Sequence, residues 1–212
     1  MLITERYGMN IEEVTEMLDM YRHLRASFEG HAGEYAFVKH YVKPCARITG
    51  HRKPDPQNKK EKGDLVVTFE DTPVSIELKS ALTGFRVNPY KNPVQVQTVH
   101  GPVWKFLFKT RTSSYKTIKY SDGTELSTLN VPYGQVDVYG VCVRPFTGVW
   151  EYMYCLTSDL PHNANPNLTP VQQRETLSPV IRVEWPPEAP WTNSLETILE
   201  RAVAQKKNSS AN

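Results

Sequence analysis

The sequence predicts an α/β domain with a central mixed β-sheet flanked by helices. Three observations predict it. Residues 65–69 and 74–80 are two apolar strand-like runs joined by a polar turn. Residues 136–143 and 149–156 form a second such pair around Pro145-Phe146-Thr147-Gly148. Apolar residues at helical spacing precede the first pair and follow the second.

Each element has a local reason. Asn10 is an expected N-cap, with Glu12 and Glu13 near the positive end of the helix dipole. Ile11, Val14, Leu18, Tyr21 and Leu24 continue that helix, and Gly30 is expected to end the region. A second helix from about Ala32 carries Glu34, Tyr35, Phe37, Val38 and Tyr41, and Pro44 stops it. Residues 46–49 suit a short strand, and the charged, proline-containing stretch 51–62 reads as a loop. In the strand 74–80, Val74, Ile76 and Leu78 face one way, and Ser75, Glu77 and Lys79 the other. Residues 88–93 form a loop, and 94–109 are read as a helix interrupted at Gly101-Pro102. A turn at 121–124, the strand pair 136–156, a loop at 161–170 and a short strand at 180–183 follow. A C-terminal helix over 193–206 and a disordered tail over 208–212 complete the expected single domain, 1–207, with its core at about 30–156.

Composition narrows the function classes. With 212 residues and 39% hydrophobic content, the chain can bury a core and is not disordered. No apolar run approaches the roughly 18 residues of a membrane span. The N-terminus lacks the long apolar core of a secretory signal. Cys45, Cys142 and Cys155 lack metal-site spacing and read as free thiols of a cytoplasmic protein. The net charge of +2 is unevenly distributed. No Asp or Glu occurs from 78 to 121, a stretch that holds Lys79, Arg86, Lys91, Lys105, Lys109, Arg111, Lys116 and Lys119.

The chemistry-bearing residues are Asp64 and the triplet Glu77-Leu78-Lys79. Hydroxide and a phosphodiester repel each other, so hydrolysis needs a divalent cation that lowers the repulsion and makes hydroxide available near neutral pH. Magnesium takes oxygen ligands and needs only one or two carboxylates. Asp64 and Glu77 on adjacent antiparallel strands supply two, and manganese is a possible substitute. Lys79, on the face of Glu77, can orient the attacking water or stabilise charge on the phosphate. Glu34 is a further candidate carboxylate. An E-x-K triplet on a strand is also a common solvated ion pair. The strand-opening acid, the pairing of the two strands, the acidic helix before them and the acid-free stretch after them favour the catalytic reading.

Gly63-Asp64, twelve intervening residues and Glu77-Leu78-Lys79 resemble the PD-(D/E)XK nuclease superfamily, the group of many restriction endonucleases. The resemblance spans roughly residues 30–156 in order of elements, including a helix after the E-x-K strand. It implies a restriction-endonuclease-like core, with Asp64 and Glu77 as metal ligands, Lys79 as the catalytic lysine and Glu34 as the helical acid. It also implies magnesium-dependent cleavage of double-stranded DNA to 5′-phosphate and 3′-hydroxyl ends. The chain departs from the pattern at Gly63, where the superfamily often has proline. Pro54-Asp55 matches literally but lacks a strand directly after it.

Arg86, Asn88, Lys91, Gln95, Gln97 and Lys105 are candidate DNA contacts, and His100 is a weaker candidate base. A stand-alone chain suits a Type II restriction enzyme acting as a homodimer. The alternatives are a structure- or end-directed repair or recombination nuclease and a non-catalytic DNA-binding domain.

Overall fold

The computed structural model describes residues 6, 8–55, 57–58, 61–81, 94–99, 101–112 and 114–210. Helix α1 (Ile11–Met20) opens with a reciprocal cap: the Asn10 side chain accepts from the Glu13 amide, and the Glu13 carboxylate accepts from the Asn10 amide. Tyr21 leaves helical geometry, with φ −111° and ψ 87°, and breaks the run three residues before Leu24. Helix α2 (Arg22–Phe37) then continues through Gly30, which was expected to end the first region. Packing overrides that glycine's cost of about 1 kcal/mol: one turn later the Tyr152 hydroxyl donates to the Gly33 carbonyl at 2.6 Å, and Phe37 is fully buried. A π-helical turn (Val38–Val42) follows before Pro44.

Among the described residues the strands form three sheets. The central one runs β1 (Ile48–Arg52), β2 (Leu65–Phe69), β3 (Thr72–Ser80), β8 (Val138–Cys142), β9 (Tyr152–Leu156). Its β3–β8 step is parallel and the others antiparallel, so the sheet is mixed. The β2–β3 hairpin turns on Glu70 and Asp71 alone, both at positive φ (46° and 63°), the geometry that matches strand twist in two-residue turns. Arg47 ion-pairs with Glu70 and Glu200 and lies over the Phe69 ring, tying that turn to the C-terminal helix.

Residues 94–109 are not helical. They form the hairpin β4 (Val94–Thr98) and β5 (Gly101–Lys109), and β5 also pairs with β10 (Val180–Trp185). Gly101, at φ 110°, is part of the turn. The controlling pattern has period two: Phe106 and Phe108 are buried while Lys105 and Lys109 are exposed. The helix expected after the E-x-K strand is therefore absent from the described part of that connection, which holds this sheet and the hairpin β6 (Lys116–Lys119) and β7 (Glu125–Thr128).

Two cores result. On one face of the central sheet, Leu65, Val67, Val74 and Ile76 pack with Phe37 and with Leu195, Ile198, Leu199, Ala202 and Val203 of the C-terminal helix. On the other face, Tyr139, Val141 and Met153 pack with Phe106, Phe108, Ile181 and Val183. Helices thus cover one face and a second sheet the other. Strands β8 and β9 are buried along their whole length, as expected of strands covered on both faces. Between them lie a short helix, α3 (Arg144–Thr147), and Gly148 at φ 77°. Helix α4 (Pro170–Arg174) precedes β10, and the Ser194 hydroxyl caps the last helix, α5 (Leu195–Ser210), which outruns its expected end at 206. Cys142 and Cys155 are buried free thiols, and Cys45 is free and half-buried. No described helix is long and apolar enough to cross a membrane.

The Tyr152–Gly33 hydrogen bond docks α2 on the sheet. Tyr152→Phe is expected to cost about 1 kcal/mol by removing this buried hydrogen bond to a carbonyl that the helix ladder also uses. Urea denaturation measures the loss, and hydrogen exchange should rise first in α2; unchanged exchange there would show that the bond does not dock the helix.

Candidate active site

Asp64 precedes β2 by one residue. Its amide donates to the Ile76 carbonyl at 2.8 Å, and its Oδ2 accepts from the Leu78 amide at 2.8 Å. The side chain therefore extends the β2–β3 ladder past the end of the backbone pairing. Leu65 pairs with Ile76, so the next register step sets Asp64 opposite Glu77.

Gly63 makes this geometry possible. It sits at φ 97°, and a Cβ there would lie 2.7 Å from the Ile76 carbonyl oxygen. Proline, locked near −65°, cannot take that conformation. The departure from proline is thus a requirement of this backbone.

Glu77 and Lys79 share a face, as strand alternation predicts. Lys79 Nζ stands 2.5 Å from Glu77 Oε1, and the side chains are 23% and 22% exposed. The parallel register sets Glu77 beside Tyr139, whose phenol is pushed up by burial and then by the Glu77 and Asp64 charges. The Asp64 carboxyl is pushed up to about 6. Burial is the main cause and Glu77 the second, partly opposed by the Leu78 amide and Lys79, and Glu34 adds a smaller push. Both neighbouring acids therefore act electrostatically on Asp64.

They open into two clefts. Glu34 and Asp64 line one of about 320 Å³ together with His51, Lys53, Leu65 and Leu78. Glu34 forms an ion pair with Lys53, and its other oxygen lies 3.8 Å from His31 Nδ1. Glu77 lines a second, of about 210 Å³, with Lys62, Lys116, Gln135 and Tyr139. Among the described residues no three His, Cys, Asp or Glu side chains converge as a metal-holding group. A cation here would rest on Asp64 and Glu77. Two hard oxygen donors suit magnesium, which keeps several waters, and a carboxyl disfavoured by a neighbouring carboxylate is one a cation would relieve.

The other candidates lie elsewhere. Gln95 and Gln97 are exposed on β4, and Lys105 on β5 pairs with Glu184 at 2.8 Å; none lines either cleft. The stretch that carries the glutamines, expected to be helical, is a strand. Arg86, Asn88, Lys91 and His100 lie outside the described residues. Asp55 accepts from the Gln57 amide at 2.8 Å, a local loop bond. Asp137, which sequence reasoning passed over, accepts from the Ser75 amide and hydroxyl at 2.7 Å and pairs with Lys206 at 2.8 Å, joining β3 to α5. Lys62, Gln135 and Tyr139 were also missed as site residues. Lys62 alone had a sequence signal, one position before Gly63-Asp64.

Comparison with protein-family models, curated proteins and solved structures finds no match for this chain.

Two outcomes follow from the geometry. Gly63→Ala should cost about 2–3 kcal/mol, because the clashing atom is backbone, and should disturb Asp64; a melting temperature within about 1–2 °C of wild type would refute the contact. The raised Asp64 pKa also has a sign. Below the unfolded value near 4 it costs nothing; above about pH 6 the ionised, buried carboxylate costs about 3 kcal/mol. Asp64→Asn should therefore melt above wild type at pH 8 in chelator, with the gap closing by about pH 4. An equal or lower melting temperature at pH 8 would contradict the electrostatic assignment.

Proposed function

We propose that this chain is a divalent-metal-dependent endodeoxyribonuclease that hydrolyses phosphodiester bonds of double-stranded DNA, most simply a Type II restriction endonuclease with a restriction-endonuclease-like core. One observation carries the proposal: Asp64 and Glu77 stand opposite each other at one end of adjacent strands, with Lys79 on Glu77. The β1-β2-β3-β8 order, antiparallel up to β3 and then parallel, supports the same reading.

Asp64 and Glu77 would hold magnesium, or manganese in its place, which supplies Lewis-acid stabilisation of the phosphate and a more acidic water. Burial keeps water competition low at both carboxylates and strengthens their hold on a cation. Lys79 faces the reacting phosphate from the Glu77 side and stabilises the negative charge that grows on it, or orients the attacking water. Glu34 and Lys53, in the neighbouring cleft, adjust the charge around Asp64. Cutting both strands would take a homodimer or two successive events.

A magnesium-dependent nicking assay on supercoiled plasmid tests the proposal. Wild type should cut, while Glu77→Ala and Lys79→Ala should each lose about 100-fold or more in rate. Discrete bands point to restriction, and processive degradation or junction cutting to a repair nuclease. Binding without cutting in either metal would leave a non-catalytic DNA-binding domain. Full activity in both variants would remove the site.

A further inference from the structure

We infer that the cleft on the Glu77 side holds a phosphate of the nucleic-acid backbone between Lys62 and Lys116, next to the phosphate being cut. This rests on the nuclease reading above and assigns the strand's path through that site.

The charges around the two clefts carry the argument. Most nearby cations are already committed: Lys79 to Glu77, Lys53 to Glu34 and Arg52 to Glu61. Among the described residues Lys62 and Lys116 have no carboxylate partner, and both line the Glu77 cleft. Lys62 is half-buried against the cleft wall, which limits where its ammonium can reach. Glu61 also lines the cleft, but Arg52 engages both its oxygens and the Asp55 amide donates to it, which holds its carboxyl down at about 2. Its charge is balanced by Arg52 and is not available to Lys62.

The remaining wall fits an anion. The Gln135 carboxamide makes no side-chain hydrogen bond among the described residues and offers two N–H donors. At about 210 Å³ the cleft is smaller than the pockets that enclose drug-sized molecules. Two ammonium groups and an amide suit a phosphate recognised as a point charge, with no base read. Lys62 lies two residues from Asp64, and Lys116 opens β6. A strand held here runs from the β6–β7 hairpin toward the end of β3, where Glu77 and Lys79 stand.

The test uses the full chain and a short labelled DNA duplex, with calcium replacing magnesium, and follows anisotropy between 50 and 200 mM salt, the range over which about one released counterion per contact is readable. Lys62→Met and Lys116→Met keep the aliphatic stem and remove the charge. Each should weaken binding roughly five-fold at low salt and make the salt slope shallower by about one. Lys207→Met, on α5, should change neither. Lys62→Arg should restore affinity, which a mere folding defect in Lys62→Met would not require, and Lys116 is exposed on a hairpin where its loss does not threaten the fold. If wild type cuts DNA but both methionine variants keep its affinity and slope, the cleft does not hold the phosphate and the nuclease reading stands. If wild type neither binds nor cuts DNA, the nuclease reading falls and this inference with it.

Discussion

Strand β3 is hydrogen-bonded along both edges, antiparallel to β2 and parallel to β8, and the site depends on that double pairing. A slip of one residue would turn Val74 and Ile76 out of the helix-side core and drive Glu77 and Lys79 into it. Neither exchange is tolerable, because one exposes large apolar side chains and the other buries two charges. The register is therefore set by the core. Asp64 completes it by holding the Leu78 amide where no backbone carbonyl serves it, and Gly63 supplies the left-handed step that brings Asp64 there.

The same arrangement concentrates like charge. Burial, Glu77 and Glu34 raise the cost of ionising Asp64, while the Leu78 amide and Lys79 offset part of it. Perturbed carboxyls of this kind cluster at functional sites and also occur in structural ion-pair networks. The π-helical turn after α2 and the buried Tyr152 hydroxyl position Glu34 from the helical layer. The acids thus come from a helix and two strands, and the packed core holds those elements in place.

Some elements were legible because their cause is local. The Asn10 cap, the β2–β3 hairpin, the β8–β9 pair and the apolar stripe of α5 each follow from a few neighbouring residues. The errors arose where a distant partner decided. Gly30 remains helical because the turn beyond it packs on Tyr152. Residues 94–109 contain both a crowded aromatic run and a period-two alternation; pairing of β5 with β10, more than seventy residues later, selects the strand. Gln95, Gln97 and Lys105 stand on the second sheet and line neither cleft, a placement set by the β4–β5–β10 pairing and not by local sequence.

By itself, the sequence determined the α/β class and the shared face of Glu77 and Lys79, because strand alternation is a local property of the backbone. Tertiary structure decided what surrounds them: Tyr139 beside Glu77, Lys53 on Glu34, and Lys62, Lys116 and Gln135 around one cleft. These residues come from segments up to 105 positions apart, and only the parallel β3–β8 pairing and the packing of two layers on the central sheet bring them together.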